Sequence, residues 1–226
     1  MDHDHRHTDH EHGHTDHDHG DGANLHDPRS FDERAATWDD DPEKVARARQ
    51  IAAAIREAIP VTGETRLLEY GAGTGLLAQF LAPHVGPLTL ADPSEGMRAV
   101  MLDKAERGDL PGARVIDIDL AASDRFDLVV SLLALHHVPD PTTALMRLGA
   151  ATDPGGWIAL VDLEAEDGSF HGEGFGGHHG FEEEQLRGLL EAAGYGPASF
   201  TRVHAIAKNG RDYPLFLAVA RRQGAA

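Results

Sequence analysis

The stretch LLEYGAGTGLLA, Leu67–Ala78, constrains the fold more than any other part of the chain. An apolar run over Arg66–Tyr70 predicts a buried strand, and Leu76, Leu77, Phe80 and Leu81 recur at helical spacing. Gly71, Gly73 and Gly75 lie between them, so the predicted order is strand, tight glycine turn, helix. Glycine tolerates positive φ and lets a ligand approach the backbone, while the N–H groups at a helix start favour polar or anionic ligand atoms. A dinucleotide-binding turn usually reads G-x-G-x-x-G. Here the spacing is E-x-G-x-G-x-G, with Glu69 placed to accept hydrogen bonds from a cationic or hydroxylated ligand.

Three further stretches fall at spacings that fit the same kind of fold. Leu88–Met97, LTLADPSEGM, is an apolar run ending in Asp92, 21 residues beyond Gly71, about where a carboxylate meets a ribose diol in such folds. Phe126–Val138, FDLVVSLLALHHV, predicts a central strand running into a lip, and Asp153–Asp162, DPGGWIALVD, a glycine turn entering another strand. With these four motifs the chain resembles the class I S-adenosylmethionine-dependent methyltransferases, from about Phe31 to Arg222. The resemblance implies an α/β, Rossmann-like three-layer αβα sandwich with a seven-stranded, mostly parallel sheet and a C-terminal antiparallel hairpin. It also implies S-adenosyl-L-methionine as cofactor and methyl transfer by in-line displacement to a small-molecule acceptor.

Carried onto this sequence, the family pattern gives each motif a role. Gly71, Gly73 and Gly75 approach the methionine end, Glu69 orients the turn, and Asp92, with Pro93 and Ser94 after it, holds the ribose hydroxyls. Met97 faces the adenine ring. Asp117 and Asp119, at the end of a third predicted strand (Ala113–Leu120), compete for the adenine amino group, with Asp119 preferred because the following loop is the natural site. Leu133 and the pair His136–His137 follow the fourth strand and should face the cofactor.

Charge and composition narrow the partners. The net charge of −18 argues against a nucleic-acid substrate, because phosphate contacts need clustered Lys and Arg. The N-terminal residues 1–27 hold eight acidic residues against Arg6, so the remainder still carries about −11. With no cysteine, disulfides, thiolate zinc sites and a cysteine nucleophile are excluded. No apolar run approaches the roughly 20 residues needed to span a membrane, and the N-terminus has no signal-peptide core, so a cytoplasmic location without membrane contact is expected. A homo-oligomer is left open.

The chain divides into a His/Asp-rich tail at 1–27, expected to be disordered, and a single domain at 28–226. Nine of the sixteen histidines lie in that tail. His3, His5, His7, His10, His12, His14, His17 and His19, interleaved with carboxylates, suit weak binding of divalent Zn, Ni, Co or Cu, and no ordered metal site is expected. Residues 28–60 predict an N-terminal helical segment, started by Asp41-Pro42 and carrying Trp38, which either closes over the ligand or docks the segment on the core. The loop at 164–181, EAEDGSFHGEGFGGHHGF, should lie over the active site. Its His171, His178 and His179, with His136, are the candidate acid/base and substrate-contacting groups; His171, His178 and His179 could also hold a metal with Asp162 or Glu164. A metal-handling protein using its tail on a methyltransferase-like body is the alternative function.

Overall fold

A computed structural model describes residues 29–224. The expectations placed on residues 1–27, cation binding by His3 to His19 among them, lie outside the described residues.

Seven strands form one sheet in the order β3-β2-β1-β4-β5-β7-β6. In chain order they are β1 (Leu67–Tyr70), β2 (Leu88–Ala91), β3 (Arg114–Ile116), β4 (Phe126–Leu132), β5 (Thr152–Leu163), β6 (Ser199–Lys208) and β7 (Arg211–Arg221). The first five are mutually parallel, and β7 inserts antiparallel between β5 and β6. The central strands read as nearly continuous apolar runs because both faces are covered. Along β1, Leu67 joins the core with Ile51 and Ile55 of α2 (Pro42–Ala58) and Leu77 of α3 (Leu76–Leu81). Its neighbour Leu68 points the other way, to Leu145 and Leu148 of α5 (Pro141–Ala151) and Leu186 and Leu190 of α6 (Glu183–Ala192). The period-2 alternation of a strand thus divides one hydrophobic sequence between two helical layers.

Local signals set the helix ends. Asp41 caps α2 by accepting from the N–H groups of Glu43 and Lys44, with Pro42 in the first turn. Ser94 caps α4 (Glu95–Arg107) through Met97 N, and Gly194, at φ 84°, follows α6 as expected of a helix terminator. In the β6–β7 hairpin Asn209 and Gly210 take φ 52° and 75°, the doubly positive pair that a two-residue turn of matching twist requires.

Two boundaries differ from the sequence reading. The third strand covers Arg114–Ile116 rather than Ala113–Leu120, because it lies at the sheet edge and pairs only with β2, whose last partner Ala91 faces Ile116. The fifth strand begins at Thr152 rather than Trp157. Thr152 already pairs with Phe126, and Asp153–Gly156 bulge out before the ladder resumes at Leu128 and Trp157.

The strand order reverses between β1 and β4, whose following loops diverge to opposite faces. In an open parallel sheet that is the crevice where ligands bind, and it is where the glycine turn and the His136 loop come out.

Candidate functional site

The glycine turn starts from the end of β1 and is tied to β2 at once. Gly71 N and Ala72 N both donate to Ala91 O, at 2.8 and 3.0 Å. Gly71, Gly73 and Gly75 all have positive φ, at 69°, 55° and 74°. Their reasons differ. A side chain at Gly71 would run into the Cβ of Ala134, so space and conformation both demand glycine. At Gly73 a Cβ would meet nothing within 4 Å, so there the backbone conformation alone selects glycine and the space over the turn stays open.

Asp92 joins the turn to the next loop. One carboxylate oxygen accepts from Gly73 N at 2.7 Å and the other from Ser94 N at 2.9 Å. The residue is 7% exposed, and burial raises its pKa above the usual carboxylate range, opposed by those two backbone bonds. Glu69 is more deeply placed, at 2% exposure, and accepts from Ala78 N of α3 at 2.9 Å. Burial pushes its pKa up to about 8, opposed by the Ala78 bond and the Lys104 charge and reinforced by Asp92. Glu69, Asp92 and the turn therefore converge at one rim of the sheet, with Glu69 facing the helix that the turn begins.

An N-terminal strap, α1 (Arg29–Asp32) and the 3-10 turn Ala35–Asp40, crosses this rim. Asp32 accepts from Ser94 Oγ at 2.5 Å and Gly96 N at 2.8 Å, and the Ser94 bond first of all lowers its pKa. Asp39 accepts from Thr74 Oγ1 at 2.6 Å and sits 2.5 Å from the ammonium of buried Lys104. Sequence reasoning missed both. In FDERAATWDD nothing distinguishes them from solvated acids, and only the long-range packing of the strap against α4 gives them partners. Trp38, between them in sequence, is half-buried under Lys44 at 4.1 Å and Arg34 at 5.0 Å, beside Phe31.

On the side expected for adenine, Met97 is buried and Pro93 exposed. Arg98 bonds the carbonyl of Asp92 at 2.7 Å and reaches Asp117 at 3.7 Å, which draws Asp117 toward the Asp92 group. The Asp119 side chain is 84% exposed and faces Arg147 on α5 instead. Leu133 takes φ 52°, rare for a branched side chain, and the bend sends Ala134 against Gly71.

Beyond that bend the histidines separate into two groups. His136 is 1% exposed; its Nδ1 lies 2.6 Å from Asp162 Oδ1, and its backbone N–H donates to Asp162 Oδ2 at 3.2 Å. His137 and His171 gather against it, with ring centroids 4.1 and 5.1 Å from that of His136. His178 is used otherwise: its backbone N–H donates to His136 O at 2.8 Å and its Nε2 meets Val138 O at 3.1 Å, fastening the loop to the segment after β4. His179 is exposed and lies 3.3 Å from Glu166. Glu164, the other carboxylate considered for a metal, forms a bidentate pair with Arg202 at 2.6 and 2.7 Å.

Comparison with known proteins agrees with this fold. The family model described as a methyltransferase domain matches residues 29–199. An uncharacterized methyltransferase of Mycobacterium tuberculosis is 36% identical over 113 residues, 48% of this chain and 55% of that protein. A ubiquinone biosynthesis O-methyltransferase of Coxiella burnetii is 34% identical over 105 residues, 45% of this chain and 44% of that protein. The chain thus spans about half the length of the curated relatives it matches. Among solved structures, the complex of the Haloferax volcanii Trm112 methyltransferase activator with a methyltransferase contains a chain that superposes with a TM-score of 0.71, at 18% identity, over 86% of this chain and 98% of that one. Magnesium protoporphyrin IX methyltransferase of Synechocystis PCC 6803, with bound SAM, gives a TM-score of 0.57 at 18% identity over 80% of each chain. Among the described residues no helix is long and apolar enough to cross a membrane.

Proposed function

The chain belongs to the methyltransferase-domain family, and on that premise we propose that it transfers a methyl group from S-adenosyl-L-methionine to a small-molecule acceptor. The observation that carries this reading is the position of Asp92, at the end of β2 and bonded at once to Gly73 N of the turn after β1 and to Ser94 N, beside the crevice where the strand order reverses. Each carboxylate oxygen has a further lone pair for a ribose hydroxyl. The open space over Gly73 leaves room for the chain of the methionine. The residues present therefore fit the cofactor.

When bound, the sulfonium supplies an electrophilic methyl group and its own thioether leaving group. The work left to the protein is to hold donor and acceptor in line and to keep water out. Gly71, Gly73 and Gly75 serve the methionine end, and Glu69 steadies the helix they begin. Ser94, Pro93, Met97 and Leu133 border the adenosine, with Asp117 better connected than Asp119 to the Asp92 group through Arg98. Residues 28–226 act as one domain, in which the strap carrying Trp38 and the loop at 164–181 enclose the acceptor side. There His171 borders the acceptor with His136 buried behind it, while His178 and His179 fix the loop. A hydroxyl-bearing acceptor is the first class to try, since one relative is named as an O-methyltransferase.

Calorimetric titration of S-adenosyl-L-methionine into the native protein and Asp92→Ala tests the reading. We expect one site per chain in the native protein. Removing charge-assisted hydrogen bonds worth about 1.5–3 kcal/mol should weaken binding at least about tenfold in the variant. No binding by the native protein would overturn the proposal, and equal affinity in both would remove Asp92 from the site.

A further inference from the structure

His136 is an unusual core residue. Asp162 accepts at its Nδ1, so in the neutral ring the proton sits on that nitrogen and Nε2 presents its lone pair. Nε2 is buried and has no hydrogen-bond partner among the described residues. A buried polar atom without a partner is destabilising, so the lone pair calls for a ligand.

Two more imidazoles stand beside it. One ligand nitrogen each from His136, His137 and His171 lies within 4.8 Å of the other two. We infer that these three histidines form a binding site for a single first-row divalent cation of the zinc type. Three imidazoles suit Zn, Co, Ni or Cu(II), whereas Mg and Ca prefer oxygen donors. Bonds of about 2.0–2.1 Å in a tetrahedral site put the nitrogens about 3.4 Å apart, so the cluster must close by up to about 1.4 Å. His171 lies on a loop where Gly168, Gly172 and Gly174 have positive φ, and movement of that loop is the simplest route to closure.

The surroundings complete the pattern. The Asp162–His136 pair is the carboxylate–histidine arrangement that orients a metal ligand and raises its basicity. Aromatic rings surround the cluster: Phe175 stacks on His171 at 3.8 Å, Phe170 meets it edge-on at 4.8 Å, and Phe31 meets His137 edge-on at 5.3 Å. Three protein ligands leave a fourth position for water or an oxygen of an incoming molecule. The ligands are separate from the histidines of residues 1–27, and the site stands whether or not the chain transfers methyl groups.

The test uses the full chain in two forms, native and with its nine N-terminal histidines changed to asparagine, so that tail binding does not obscure the count. Each is loaded with Co(II), freed of loosely held ion on a weak chelating resin, and assayed for metal per chain and for the visible bands of a four-coordinate site. The inference expects one retained equivalent with those bands in both forms. In the tail-substituted background His171→Gln and His137→Gln should each lose the retained ion, and Asp162→Asn should weaken its binding about 10–100-fold. Thermal unfolding verifies that each variant is folded. No retained ion in the tail-substituted protein, or one that survives folded His171→Gln, overturns the inference. Calorimetry with S-adenosyl-L-methionine reports separately on the methyl-transfer reading.

Discussion

Replacing Glu69 by glutamine should stabilise the protein, and by more as the pH rises. Burial lifts this carboxyl from 4.5 to about 8 in the folded chain. Because the folded value is the higher one, the folded state holds an extra proton between the two. The stability linked to that proton is fully present below about 4.5 and is lost as pH rises toward about 8. The loss follows RT ln[(1 + 10^(pH − 4.5))/(1 + 10^(pH − 8))]. It is about 0.8 kcal/mol at pH 5 and about 3.3 kcal/mol at pH 7, and it levels off near about 5 kcal/mol. Glutamine keeps an oxygen for Ala78 N and cannot ionise, so the stability gap between variant and native protein should widen by about 2.5 kcal/mol from pH 5 to pH 7. Urea unfolding of both proteins at pH 5, 6, 7 and 8 measures the gap, and groups common to both cancel. A gap constant to within about 0.5 kcal/mol would falsify the raised value, and a gap that narrows with pH would reverse its sign.

The same carboxyl links stability to binding. A cationic ligand at the turn should ionise Glu69 and release about 0.9 proton at pH 7 in excess of any released by Glu69→Gln, seen as a binding heat that depends on the buffer; equal release from the two proteins would exclude the coupling. Gly71→Ala places a Cβ against Ala134 at a φ of 69°, and we expect a loss of about 2–4 kcal/mol in urea unfolding. A loss under about 0.5 kcal/mol would mean that the turn can move away from the loop after β4. Asp39→Asn leaves the buried Lys104 ammonium without its carboxylate and should cost about 2 kcal/mol, much of it recovered in the double variant with Lys104→Met; simple additivity in the thermodynamic cycle would refute an energetic pairing.

The features governed by local chemistry are written in the sequence. Apolar runs, glycine spacing, cap residues and Asn209-Gly210 fix strands, helices and turns within a few neighbours, so the order of elements, the glycine turn and the place of Asp92 at the end of β2 are legible in the sequence alone. Where a strand ends depends on its neighbour, so the short β3 and the early start of β5 are not. The closed fold chooses which side chains meet across long separations. It turned Glu69 toward α3, brought Asp32 and Asp39 from the strap onto α4 and the turn, and assigned Asp162 to His136. It also separated His171 from His178 and His179, its neighbours in the loop, and placed it beside His136 and His137, 35 and 34 residues away. A carboxylate or an imidazole carries no periodic signal of its own. Its partner is chosen by the packing of apolar surface elsewhere in the chain, and that choice exists only once the sheet and its two helical layers have closed.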